Sequence, residues 1–321
     1  MKNRKNKSLK ADIIGFLVKL VDWVFSFTEF FTKLRKVSLI NFNYYILFQR
    51  FGTFVLLLAI TLLNFSANPV KMTLPRSGPF NIKTIVIDAG HGGKDPGTMG
   101  ATAREKDIAL NIALKLGGYL EKHAPGTEVI YTRKSDTFIP LRGRSEIANK
   151  NGADLFVSVH VNAIGGKQSV YGTETYVMGL HKTGDNLNVA MRENAVIQKE
   201  EDYETHYDGF DPNSDASYII FDLYQSAYLE SSLVLAEKIQ SQFKNRVQRR
   251  DRGVKQAGFL VLWQTYMPSV LVEVGYITNP DEEKYLASDR GQSLIASGIF
   301  RAIRDYKNEI ESINLINTDN R

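Results

Sequence analysis

Four residues of this chain stand where chemistry is commonly done, each at the end of an apolar stretch or the start of a helical one. His91 lies in Ile85 to Gly97 (IVIDAGHGGKDPG), where a short β-branched run ends in a glycine-rich turn. His160 closes the apolar run Leu155 to Val159, and Asn162 follows it. Strands commonly deliver functional residues at their ends, on the loops that follow. Glu105 opens an amphipathic segment after a loop containing Gly97, Gly100 and Arg104. Helix starts favour carboxylates, so capping alone would account for it. Glu273 stands inside Val270 to Tyr276 (VLVEVGY) and is harder to dismiss. A carboxylate in an apolar strand is costly unless it is paired, hydrogen-bonded or at an exposed end.

Two histidines and one carboxylate form a catalytic zinc set that leaves a fourth position for water. A second carboxylate nearby would supply a general base. The other histidines fit less well: His123 ends a helical segment just before a proline, His181 lies in a loop, and His206 in an acidic, tyrosine-rich stretch. The chain has no cysteine. Disulfides, thiolate ligands and cysteine nucleophiles are excluded, and a zinc site must use His, Asp or Glu.

The elements that would position these residues alternate. Strands are expected at Thr84–Asp88, Glu128–Thr132, Asp154–His160, Thr173–Met178, Phe259–Leu262 and Ser269–Val274. Helices are expected at Glu105–Lys122, Leu141–Lys150, Asp185–Lys199, Tyr218–Asn245, Asp281–Leu286 and Gly291–Lys307. In the first helix Ile108, Ile112, Leu116 and Leu120 recur at helical spacing. The alternation predicts an α/β fold, a sheet sandwiched by helices. Arg246 to Lys255 (RVQRRDRGVK) reads as a solvated loop, and Arg142 and Arg144 as partners in structural ion pairs.

Charge is unevenly spread. Lys and Arg number 40 against 35 Asp and Glu, but residues 1–50 hold 10 basic and 3 acidic residues, leaving 30 against 32 elsewhere. The high pI therefore belongs to the N-terminal segment and does not argue for nucleic-acid binding. A basic flank beside apolar sequence points to a membrane. Ala11 to Phe31 could lie at a membrane surface as an amphipathic helix. Phe51 to Phe65 (FGTFVLLLAITLLNF) carries no charge and, with Tyr44 to Phe48, approaches spanning length. Residues 1–67 are expected to be an export signal or a membrane anchor; the residues leave both open. Residues 68–82 read as a linker, 83–311 as a catalytic domain and 312–321 as a polar tail.

The segments IVIDAGHGGKDPG, REKDIALNIA, SVHVNA, GTETYV and LVEVGYITNP resemble, in order and spacing, the zinc-dependent N-acetylmuramoyl-L-alanine amidases of bacterial cell walls. The resemblance covers about residues 83–310. It implies a twisted, mainly parallel six-stranded sheet with helices on both faces. It implies zinc held by His91, Glu105 and His160, with Glu273 as the catalytic glutamate. The substrate would be peptidoglycan, cut between N-acetylmuramic acid and the L-alanine of the stem peptide, outside the cytoplasm in the periplasm or cell envelope. Read from the residues alone, a non-catalytic wall-binding protein and a zinc hydrolase of another amide stay open.

Residues from about 185 to 217 look like an insertion. By themselves they read as a solvated helix with a charged face. Division-associated members of the family carry an occluding helix here, and a glutamate from it fills the zinc's open position until an activator protein displaces it. Arg192-Glu193-Asn194 resembles that stretch, which makes Glu193 the candidate.

Overall fold

The computed structural model describes residues 81–180, 183–219, 221 and 227–319. The expected membrane or export segment and most of the linker lie outside the described residues. No helix among the described residues is long and apolar enough to cross a membrane.

Six strands form one sheet in the order β2-β1-β3-β6-β4-β5. These are β1 (Thr84–Ala89), β2 (Glu128–Tyr131), β3 (Leu155–Asn162), β4 (Thr173–Met178), β5 (Asp251–Ala257) and β6 (Ser269–Tyr276). Strands β2, β1, β3 and β6 are mutually parallel; β4 runs antiparallel to β6 and parallel to β5. Strands β3 and β6 are buried along their whole length, which is why they read as continuous apolar runs rather than alternating ones.

Side-chain alternation divides these strands between two cores. Ile85, Ile87, Val157, Val159, Val270 and Val272 face one side. There they meet α1 (Glu105–His123), α5 (Leu229–Gln242) and α7 (Asp289–Asp319). Val86, Phe156, Tyr176 and Leu271 face the other, against α2 (Leu141–Lys150) and the 185–217 segment. That segment forms α3 (Gly184–Asn194), a 3-10 turn (Ala195–Lys199), the short α4 (Tyr203–His206) and a second 3-10 turn (Asp215–Ile219). Helix α6 (Pro280–Ala287) follows β6.

The same alternation puts Asp88, Ser158, His160 and Glu273 on the second side, at the carboxyl ends of parallel strands. Open α/β sheets bind ligands at that edge.

Four sequence expectations are corrected. Phe259–Leu262 is a series of tight turns, not a strand; its side chains are buried in the second core. A short apolar run reports burial, not conformation. The basic run from Arg246 is not a solvated loop: from Asp251 it is the edge strand β5, whose Arg252 and Lys255 pair with Glu174 of β4. Of the expected helix Tyr218–Asn245, Tyr218 and Ile219 end a 3-10 turn, Leu229–Gln242 forms α5 and Phe243–Val247 is a π-turn; residues 220 and 222–226 lie outside the described residues. Helix α7 continues through Asp319, well beyond Lys307.

The β1 end is fastened by Arg144 of α2. Its guanidinium donates to Asp88 Oδ1 at 2.8 Å and to the carbonyls of Ala89 and His91, both at 2.8 Å. Burial would raise the Asp88 pKa, but Arg144 and the hydroxyls of Ser158 and Thr132 outweigh it and hold it below 3.8. The stabilisation is therefore complete above the unfolded value and lost as pH falls through the lower folded value. Arg144→Met leaves Asp88 buried without its cation and should cost about 3–5 kcal/mol of unfolding free energy. Chemical denaturation at neutral pH measures this, and the gap to wild type should shrink as acid neutralises Asp88.

Candidate metal centre

His91 lies two residues beyond β1 in a left-handed conformation, φ 60°, which a side chain other than glycine adopts rarely. Its Nδ1 meets Asp95 Oδ2 at 2.6 Å, which turns Nε2 toward the sheet edge. The other Asp95 oxygen accepts from Lys199 Nζ at 2.7 Å.

Glu105 at the start of α1 is fully buried and held by three donors. Oε1 accepts from Val161 N at 2.8 Å, and Oε2 from the backbone N and hydroxyl of Thr98, both at 2.8 Å. His160, near the end of β3, directs Nδ1 to the same point. Two glycines make the approach possible. A Cβ at Gly90 would lie 2.5 Å from the His160 ring, and one at Gly97 2.6 Å from His91, where φ is also +67°.

Glu193, from α3, completes the cluster. Its Oε2 is 3.1 Å from His91 Nε2 and 3.0 Å from His160 Nδ1. Glu105 Oε1 lies 3.1 and 3.2 Å from the same nitrogens. One ligand atom from each residue fits within 4.8 Å of the others. A tetrahedral ion with bonds of about 2.0–2.1 Å separates its ligands by about 3.3 Å. His91 Nε2 and Glu193 Oε2 are buried without a hydrogen bond, so this close approach leaves both polar atoms unsatisfied. A cation between them would satisfy both, and two imidazoles with carboxylate oxygens are donors that suit zinc.

The charges are strongly coupled. Burial disfavours charged His91 and His160, but the carboxylates prevail: His91 is raised well above 6.5, chiefly by Glu105, and His160 to about 9, chiefly by Glu193. Burial likewise opposes ionised Glu105, yet the histidines, His91 foremost, bring it down to about 2.

Glu273 lies beside this cluster, paired in register with His160 across β3 and β6. It is fully buried, and neither oxygen has a hydrogen-bond partner. Burial, then the charge of Glu193, push its pKa well above 4.5, and Arg192 only partly offsets them. The Arg192 guanidinium sits 3.6 Å away, bonded to Asn162 Oδ1 and Ala163 O, both at 3.0 Å.

The structure thus brings His91, Glu105, His160, Glu193 and Glu273 to one place. Sequence reading passed over Asp95 and gave Arg192 no role. A carboxylate four residues from a candidate ligand histidine was a usable signal, because ligating histidines commonly donate their second N–H to a carboxylate. Nothing in the sequence indicated that Arg192 would turn toward Glu273.

Buried imidazoles and carboxylates that could hold a metal ion, with a glutamate lacking hydrogen bonds beside them at the end of a parallel sheet, are what a metallohydrolase requires. The chain belongs to the N-acetylmuramoyl-L-alanine amidase family, whose model matches residues 85–305. It is similar to the N-acetylmuramoyl-L-alanine amidase AmiA of Escherichia coli, 34% identical over 70% of this chain and 76% of that protein. The amidase of Clostridium difficile 630 superposes with a TM-score of 0.54 at 30% identity, over 71% of this chain and 98% of that one. The CwlD amidase of Clostridioides difficile, solved in complex with the GerS lipoprotein, does so with 0.51 at 28% identity, over 70% and 98%. This protein is accordingly an enzyme that hydrolyses the amide joining N-acetylmuramic acid to L-alanine in peptidoglycan.

Asp95→Ala should weaken metal binding about 10- to 100-fold by freeing the His91 ring. Competition against a chromogenic chelator measures it, with circular dichroism as the check on folding.

Proposed function

We propose that the amidase is zinc-dependent, that His91, Glu105 and His160 hold the ion, that Glu273 moves the proton, and that Glu193 closes the site as an internal inhibitor. The observation that carries this is the meeting of Glu193 Oε2 with both histidine nitrogens. Three side chains come from the catalytic sheet and its first helix; the fourth comes from the insertion.

Bound zinc would supply Lewis acidity, making water acidic enough to attack near neutral pH and polarising the amide carbonyl. The chain's own residues do the rest. Glu105, held by Val161 and Thr98, and His91, held by Asp95, are fixed before substrate arrives, so little reorganisation accompanies the reaction. Glu273 takes the proton of the attacking water and passes it to the leaving nitrogen of L-alanine. Its surroundings suit both halves, since burial favours the protonated acid and the lack of hydrogen bonds leaves its oxygens free.

The insertion excludes substrate. Arg192 lies against Glu273, and Lys199 and Glu200 tie the following turn to Asp95 and to the Leu141 backbone N. Val196 and Ile197 are buried beneath it. Displacing so much contact calls for a partner, and an activator protein fills that role. The lipoprotein bound to CwlD is a precedent for a family member working with a second protein. The basic, apolar residues 1–67 would carry the enzyme out of the cytoplasm, as signal or anchor, to act in cell separation or wall turnover.

Glu273→Gln should bind zinc normally and lose about two to four orders of magnitude in turnover on purified peptidoglycan. Mass spectrometry of released stem peptides measures this; wild-type turnover would refute the assignment. Glu193→Ala should release peptides faster than wild type without any partner protein. Equal or lower release from a folded variant would remove the inhibitor role.

A further inference from the structure

A row of charged side chains crosses the sheet beyond the metal cluster. His160 of β3 is paired in register with Glu273 of β6, and Glu273 with Glu174 of β4. Side chains in register on adjacent strands share a face. Edge strand β5 then adds Arg252 and Lys255. Between this edge and α3 opens a cleft of about 260 Å³, whose lining includes Asn162, Lys167, Arg192 and Tyr276.

Glu174, on the floor, is 1% exposed and has five donors. Oε1 accepts from Arg252 Nε at 2.8 Å, Lys255 Nζ at 2.5 Å and Tyr276 OH at 2.7 Å. Oε2 accepts from Tyr176 OH at 2.8 Å and Asn162 Nδ2 at 3.1 Å. A carboxylate has about four acceptor positions. Three neutral donors and one cation would satisfy it, yet two cations are present. The group carries one positive charge more than Glu174 balances, while at the exposed rim Lys167 and Asp185 offset each other. Solubility of an edge strand would be served by exposed lysines, but the Arg252 and Lys255 side chains are only 26% and 22% exposed. Arg252 is also laid over the Tyr276 ring, 5.1 Å from its centroid. That fixes the guanidinium plane, the property that suits arginine to a carboxylate.

We propose that this cleft binds a free carboxylate on the departing peptide, one residue beyond the scissile amide. The inference rests on the amidase reading and on Glu273 as the proton carrier. A nitrogen protonated by Glu273 must lie beside it, so the leaving peptide extends from there, and the cleft lies next along the row. The peptidoglycan alanine is followed by an acidic residue joined through its side chain, leaving its α-carboxylate free or, in some walls, amidated. From β6 to β5 is two strand spacings, about 9–10 Å, a span that a dipeptide and the Arg252 side chain cover together. Helix α3 roofs the cleft, so the carboxylate enters when the insertion moves.

The test compares two muramyl peptides that differ only in that group, free acid or carboxamide. The enzymes are the full chain and the full chain carrying Glu193→Ala. The free acid should be cleaved with at least tenfold higher kcat/KM, and Arg252→Gln or Lys255→Met should bring the ratio close to one. Equal rates on the two substrates, or variants that slow both by the same factor, would overturn the inference while leaving the amidase reading intact. Cleavage of neither substrate by either enzyme would overturn that reading and the inference with it.

Discussion

Three carboxylates and two imidazoles share one buried space, and the rest of the fold is arranged around that constraint. Unsupported, buried like charges at such distances would not all remain ionised. Each is answered separately. Glu105 is held by backbone and hydroxyl donors, Glu193 by Arg192 and the imidazoles, and Glu273 by a pKa that burial and the charge of Glu193 push well above 4.5. The same carboxylates raise the pKa of both imidazoles against the effect of burial. A divalent cation bound there would compete with protons for the imidazole nitrogens, so metal binding and proton release would be linked.

Holding those groups requires a backbone that cannot relax. The left-handed turn at His91 is braced from below by arginines that point inward. Arg133 donates to Ala89 O and Gly90 O, and Arg144 to Ala89 O and His91 O. A loop that would otherwise leave carbonyls buried and unpaired becomes rigid, at the cost of placing two guanidinium groups in the interior. Asp88 and the carbonyls make that placement tolerable.

The sheet and its polar edge were legible because burial writes itself into composition. Strands β3 and β6 read as apolar runs, and the residues breaking them, His160 and Glu273, stood out for that reason. The limits were equally physical. Phe259–Leu262 has the composition of a strand because it fills the same core, but its backbone turns. Strand β5 was hidden by its own charges, since the partner that buries Arg252 and Lys255 is Glu174, 78 and 81 residues away in sequence. The four residues that could hold an ion were visible as types in suggestive places. That Asp95 serves both His91 and Lys199 is a fact of three dimensions only.

That shared carboxylate joins two properties otherwise treated separately. Asp95 aims His91 into the site with one oxygen and holds the insertion through Lys199 with the other, while Glu193 approaches the same histidine nitrogens from that insertion. On the proposed ligand set, the closed form surrounds the ion with four protein groups and the open form with three. Coupling of this kind is reciprocal: an ion that strengthens closure is itself retained better when closed. On that reading the resting enzyme would be the storage form of the metal, and the working enzyme the one exposed to its loss. In an envelope where zinc is scarce, depletion would silence the open molecules first and leave the closed ones loaded, so metal supply would limit the duration of wall cutting rather than the capacity to begin it.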